Sequence, residues 1–267
     1  MKALVELYVQ QFKTTLASMF QYRASLLIWM IGQVLEPLVY LIVWSVVSNS
    51  SGGSVGDYTT TEFAAYFILL MLVNQFTYTW IMYEFDYRIR EGILSFALLK
   101  PVHPIHSDIA DNASSKLITL PIMILIVAGL AAIFHASISP APWAIALFIP
   151  ALLLAFSVRF LLEWTLAQAA FWTTRVGAIN QTYFVLMLFL SGQIAPLTLL
   201  PHLVQVAAMI LPFRWMIGFP VELLLGRLTL AEALRGLGVQ AAWLGASFVL
   251  LRIVWRAGVR IYSAVGS

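Results

Sequence analysis

A chain of 267 residues with 61% apolar and only 10% charged side chains departs from a soluble domain, where those shares run at about 45–50% and about 25%. The excess comes in long apolar runs, which excludes a water-soluble globule and predicts an all-α polytopic membrane protein, with residues 1–267 forming one membrane domain. A net charge of +3 and the lack of any cysteine argue against nucleic-acid binding and exclude disulfides, thiol chemistry and cysteine-bound zinc.

Residues 1–23 contain Glu6, Gln10, Gln11, Lys13 and Gln21 and no apolar core of signal-peptide length. Val5, Tyr8, Phe12, Leu16, Met19 and Phe20 recur at steps of three or four, which predicts an amphipathic helix lying in the membrane interface. The first span is expected at 24–47, interrupted by Gln33 and by Glu36-Pro37. A Gly/Ser/Thr loop without lysine or arginine precedes a second span at 63–83. Residues 84–116 gather charges and form a long connection. The third span is placed at 117–134. The fourth starts near 143 and continues as far as 172, roughly 45 Å at 1.5 Å per residue. "TTRVGAINQ" is a tight turn before a fifth span at 182–194, which Asn180 and Gln181 open. Residues 195–232 are apolar but broken by Pro196, Pro201, Pro212, Gly218 and Pro220. Two short helices that enter the membrane and return fit this stretch better than a full span. The sixth span is expected at 234–254.

Basic residues set orientation. Lys2, Lys13 and Arg23, then Arg88, Arg90, Lys100 and Lys116, then Arg175, and finally Arg252, Arg256 and Arg260 all fall on one side of a six-span layout. Both termini and the 84–116 connection are therefore expected in the cytoplasm. Arg214, Arg227 and Arg235 fall on the other side and run against the rule.

Within "RIREGILSFALLK", Ile89, Ile93, Phe96, Ala97 and Leu99–Lys100 form an amphipathic surface, with Arg88, Glu91 and Ser95 on other faces. Pro101 ends that helix. The residues admit two readings, a helix that passes motion from a cytosolic partner or a solvated loop whose charges only set topology. His103, His106 and Asp108 make an incomplete metal-ligand set, and Pro104 interrupts any helix that would align the histidines. Glu36 lies near the middle of the first span, where a bare carboxylate is costly. With Gln33 it would line a cargo path or hydrogen-bond between helices. Arg159 and Glu163, four apart, share a helix face and are expected to form a structural ion pair. Asn180 and Gln181 would cap the fifth span or belong to an inner gate. No GxxxxGK[ST] phosphate loop occurs, nor any recognisable protease or hydrolase motif.

"REGILSFALLKPVHPI" resembles the coupling-helix segment that follows the second span in permeases of type-2 ATP-binding cassette exporters. Gly92, Leu94, Ser95, Leu98, Leu99, Lys100 and Pro101 match its pattern. "AFWTTRVGAINQ" and "LSGQIAPLTLLPHLVQVAAMILPFRWMIGFPVELLLG" resemble a cytoplasmic turn and the re-entrant outer hairpin before the last span of such proteins. The resemblance covers nearly the whole chain and is nearest to a bacterial subgroup in which two related permeases often serve one ATPase. It implies a multi-pass protein of the bacterial inner membrane that exports cargo. It also implies two ATPase subunits, a second permease chain (identical or paralogous), and contact with membrane lipids but no nucleic acid. No cofactor is implied on this chain, since ATP and Mg would sit on the partner ATPase. ATPase coupling would fall to Arg88, Arg90, Glu91, Gly92, Leu94, Ser95, Leu98, Leu99, Lys100 and Pro101. The competing expectation is an ion-coupled secondary transporter in which Glu36, Arg159 and Glu163 form a relay. It lacks the internal repeat and paired helix breaks common in such folds.

Overall fold

The structure, a computed structural model, describes residues 2–262; the side chain of Lys2, one of the orienting cations, lies outside the described residues. Helix α1, Lys2–Gln21, turns at Tyr22 into α2, Arg23–Ser50. A two-residue β-hairpin follows, with β1 Ser54–Val55 antiparallel to β2 Tyr58–Thr59. Thr59 then starts α3, Thr60–Thr77, through a capping box with Glu62. Helix α4, Ile81–Arg90, continues the second span after a short break, and α5, Ile93–Leu98, follows Gly92, whose φ of +69° needs a residue without Cβ. Then come α6, Ile105–Ile133, and α7, Pro142–Ala167, which ends in a 3-10 turn, Gln168–Phe171. The remaining helices are α8, Val176–Leu190; α9, His202–Ile210; α10, Phe213–Met216; α11, Gly218–Leu224; and α12, Leu230–Ile261.

Helix α3 is apolar on every side and is buried along most of its length, as a helix with no polar stripe must be. It packs on α2, α6, α7 and α11, while α12 lies along α7. Two polar contacts fix that outer layer, with Gln240 Nε2 donating to the carbonyls of Ala151 at 3.0 Å and Trp215 at 2.7 Å. Gly236 of α12 meets the ring of Phe219 so closely that a Cβ there would overlap it. Gly236→Val is therefore expected to cost about 1–3 kcal/mol, seen as a lowered thermal unfolding midpoint in detergent. Gly238→Ala, on open space two residues away, should leave the midpoint in place.

Five helical segments are long and apolar enough to cross a membrane: Arg23–Ser50, Thr60–Arg90, Ile105–Ile133, Pro142–Phe171 and Leu230–Ile261. The protein is thus an all-α polytopic membrane protein. The expected fifth span differs from its prediction. Helix α8 starts at Val176 and ends at Leu190, so Asn180 and Gln181 lie in its second turn and do not open it. Its 15 residues reach about 22 Å, less than the hydrocarbon thickness of about 30 Å. The 195–232 region holds three short helices and a 3-10 turn where two helices were expected. The 84–116 connection is also shorter than predicted, because α4 runs to Arg90 and α6 begins at Ile105. Hydropathy ended the spans too early. The helices continue through charged residues that are satisfied by i,i+4 pairs, Glu84 with Arg88 and Asp86 with Arg90.

Two arginines that ran against the charge rule are paired. Arg214 holds Glu222 at 2.6 Å, and Arg227 holds Glu62 at 2.7 Å while covering the ring of Tyr58 at 3.9 Å. Tyr58 is largely enclosed, and burial is the main cause that pushes its hydroxyl up to about 12.

Candidate functional site

The span formed by α3 and α4 breaks at Tyr78-Thr79-Trp80, although the stretch has no proline or glycine. The cause is tertiary. Tyr78 takes an extended backbone, ψ 139°, and the polar groups this frees find partners on neighbouring helices. Lys116 Nζ on α6 donates to the Tyr78 carbonyl at 2.8 Å. Arg159 on α7 donates to Asn74 Oδ1 at 2.9 Å and to Thr77 Oγ1 at 3.1 Å. Glu163 accepts from Thr79 Oγ1 and, at 3.1 Å, from the Tyr183 hydroxyl on α8. Arg159 Nε and Glu163 Oε1 themselves lie 2.8 Å apart, both fully buried. Every charge in this cluster has a short-range partner, as low-dielectric surroundings require.

Beside the cluster a groove of about 640 Å³ opens on the protein surface. Gln33, Glu36 and Gln181 line it together with Asn74 and Arg159, and Trp29, Tyr78, Trp80, Tyr83 and Phe184 form its aromatic wall. Asn180 does not join them. It is buried, and its Oδ1 has no hydrogen-bond partner among the described residues. Gln33 reaches the charge cluster through Asn74 Nδ2 at 3.3 Å. Glu36 is exposed to the groove and has no hydrogen-bond or ion-pair partner among the described residues. Glu36 thus shares the groove with Arg159 but makes no direct contact with the Arg159–Glu163 pair.

The α4–α5 segment is anchored from within. Arg88 Nη1 donates to Asp108 Oδ1 at 2.7 Å, and Trp164 Nε1 donates to Asp108 Oδ2 at 2.9 Å. Trp164 in turn packs at a tilt against Trp255 at 5.0 Å and edge-to-face with Phe85 at 5.3 Å. His103 packs on the same aromatic cluster, 4.7 Å from Trp255, and its Nδ1 accepts from the Ile105 N–H at 3.2 Å. Burial, with the neighbouring His106 as a lesser cause, holds the His103 imidazole below its ordinary value. Among the described residues no three His, Asp or Glu side chains converge as a metal site would need.

On α5, Leu94 is turned into the core, 1% exposed, and Ser95 Oγ meets the Tyr262 hydroxyl at 3.0 Å. Leu98 is half-buried. Phe96 and Leu99 face outward, 70% and 83% exposed, flanked by Ile93 and Lys100. Arg90 and Glu91 are exposed at the end of α4, and Pro101 begins the turn toward α6.

Residues 34–266 match the family described as ABC-2 family transporter protein. The chain belongs to that family. It is the membrane permease component of an ABC transporter, and a search of curated proteins finds no match. In this ABC-2 permease the segment that resembles a coupling helix divides into two sets of side chains. Leu94, Ser95 and Arg88 hold it to the membrane helices, and Ile93, Phe96 and Leu99 protrude. The residues of the permease that sequence reasoning missed are Asn74, Thr77, Thr79, Lys116 and Tyr183, which complete the charge cluster, and Asp108, which ties α4 to α7 through Trp164. Apart from Asp108 and Lys116 these are neutral polar residues in apolar runs, and intramembrane polar groups were the available signal.

Proposed function

We propose that this permease exports a cargo by pairing with a second permease chain and docking α5 into separate ATPase subunits. The observation that carries the coupling role is the exposed apolar knob of Phe96 and Leu99 on a short helix whose other face is locked into the core. Large apolar side chains on a small, rigidly held helix are good anchors for a partner's pocket. In this reading both termini and α5 lie in the cytoplasm of a bacterial cell, α8 completes six crossings, and 195–232 dips into the outer leaflet and returns. Two ATPases supply the energy, with ATP and Mg bound there and no cofactor on this chain. The groove lined by Gln33, Glu36 and Gln181 becomes half of the cargo path when the second permease closes over it. The family membership supports this mechanism, as does the fully partnered state of Arg159 and Glu163, which leaves neither free to carry ions.

The test is co-purification with the ATPase encoded beside the permease. Phe96→Asp with Leu99→Asp should lower recovery of the ATPase at least about tenfold, the scale of losing two interface anchors, while the permease stays folded because both side chains are exposed. Undiminished assembly, with ATP hydrolysis at the original rate, would overturn the docking role. Arg90, Glu91 and Lys100 are expected to modulate affinity more weakly, as exposed rim charges do.

A further inference from the structure

Helix α12 carries Arg252, Arg256 and Arg260 at four-residue steps, so the three guanidinium groups form one ladder on a single face. All three are exposed. Among the described residues no carboxylate lies in ion-pair range of any of them, a state they share with the isolated Arg23, Arg175 and Arg235, but only here do three such arginines share one face. The ladder does not point into the fold. The packed side of α12 runs through Gln240, Ser247, Leu251 and Gly258, and residues 252, 256 and 260 fall on roughly the opposite side at 100° per residue.

Between Arg235 and the ladder that outward face is apolar. Ala241, Gly245, Phe248 and Val249 are exposed on it, and a Cβ at Gly245 would meet nothing within 4 Å. A smooth track thus runs toward the ladder and joins it where Phe248, Val249, Ile253 and the arginines line a shallow groove of about 490 Å³. Depth agrees with this order. Helix α12 has 32 residues, about 48 Å at 1.5 Å each, and outlasts a hydrocarbon core of about 30 Å. Measured from Arg235, an exposed charge near its other end, the core ends within the arginine ladder. The Tyr262 hydroxyl beyond them bonds Ser95 of α5, which puts the ladder just inside the level of that segment.

We propose that this face is a binding site for an anionic phospholipid of the leaflet on the α5 side. Its phosphate headgroup would be held by Arg252, Arg256 and Arg260, and one acyl chain would lie along Phe248, Val249 and Gly245. Guanidinium groups bind phosphate through paired N–H donors and remain charged at any working pH. A headgroup with an attached chain matches both halves of the surface, which an acidic protein segment would not. The site lies on α12, apart from the groove and from the exposed knob of α5, so the inference stands independently of the export mechanism.

Native mass spectrometry of the full chain, released from nanodiscs of mixed phosphatidylglycerol and phosphatidylcholine, tests it. The wild type should retain phosphatidylglycerol in preference to phosphatidylcholine, and inorganic phosphate should not displace it. The triple change Arg252→Gln, Arg256→Gln, Arg260→Gln should lower that retention about tenfold or more, given the pull of each basic side chain on an anionic surface. The triple lysine variant should keep most of it. Arg175→Gln, which removes an exposed arginine elsewhere, should change nothing. Equal retention by the wild type and the glutamine variant would overturn the proposal. So would unchanged lipid retention accompanied by loss of the ATPase from the glutamine variant, which would assign the ladder to a protein partner.

Discussion

Glu163→Leu is expected to lower the stability of the protein by about 3–5 kcal/mol, the cost of leaving one member of a buried ion pair without its partner. The loss has several parts. Arg159 would keep Asn74 and Thr77 but lose its carboxylate, and the buried Thr79 and Tyr183 hydroxyls would each lose an acceptor. Arg159→Met combined with Glu163→Leu should recover part of the loss, because no unpaired buried charge remains, while Asn74, Thr77, Thr79 and Tyr183 stay without these partners. A double-mutant cycle on unfolding in detergent reads the coupling directly. If Glu163→Leu alone costs under about 1 kcal/mol, water reaches the pair, and it is not the closed element described. Transport should suffer beyond stability, because the break at Tyr78-Thr79-Trp80 depends on these partners.

The second large effect is expected at Asp108. Asp108→Ala would leave the Trp164 N–H unpartnered and release Arg88, for a combined cost of about 3 kcal/mol. Asp108→Asn should lose less, since an amide oxygen still accepts from the indole while the charge facing Arg88 is gone. Near-ultraviolet circular dichroism separates the two variants. The alanine change should disturb the signal of the Trp164, Trp255 and Phe85 cluster, and the asparagine change should largely preserve it. Both should weaken the tie between α4 and the membrane helices, so both should reduce coupled ATP hydrolysis more than they reduce ATPase binding. Loss of binding and hydrolysis in equal proportion would mean that Arg88 acts on the partner directly.

Much of this architecture was readable in the chain. Long apolar runs, the turn at residues 22–23 and the proline-broken region before α12 follow from hydropathy and from the geometry of proline. Arg159 and Glu163 were paired from their spacing alone. What escaped were features created by contacts between helices. The break in the second span has no local cause, because "FTYTW" contains nothing that stops a helix. Leu94 matches the coupling pattern as well as Leu98 and Leu99 do, yet only packing decides that it points inward while Leu99 protrudes. Asp108 looked like a stray acid beside two histidines, and its use depends on a tryptophan 56 residues away. Gln33, Glu36 and Gln181 share one groove while Asn180 is buried away from it, a difference set by one 100° step along α8 that the sequence does not show.

The dependence of that break on α6 and α7 has a consequence for how the protein is made. Spans leave the ribosome in chain order, so the segment from Thr60 to Arg90 emerges before Lys116, Arg159 and Glu163 exist to hold it open. It has no local reason to interrupt itself, and the partners of its break come first with Lys116 on α6 and then with Arg159 and Glu163 on α7. The same late arrival brings Arg159 and Glu163 together with the polar groups that shelter them. A chain cut short before α7 would lack the partners that Arg159 and Glu163 give to Asn74, Thr77 and Thr79, and with them part of what holds the break.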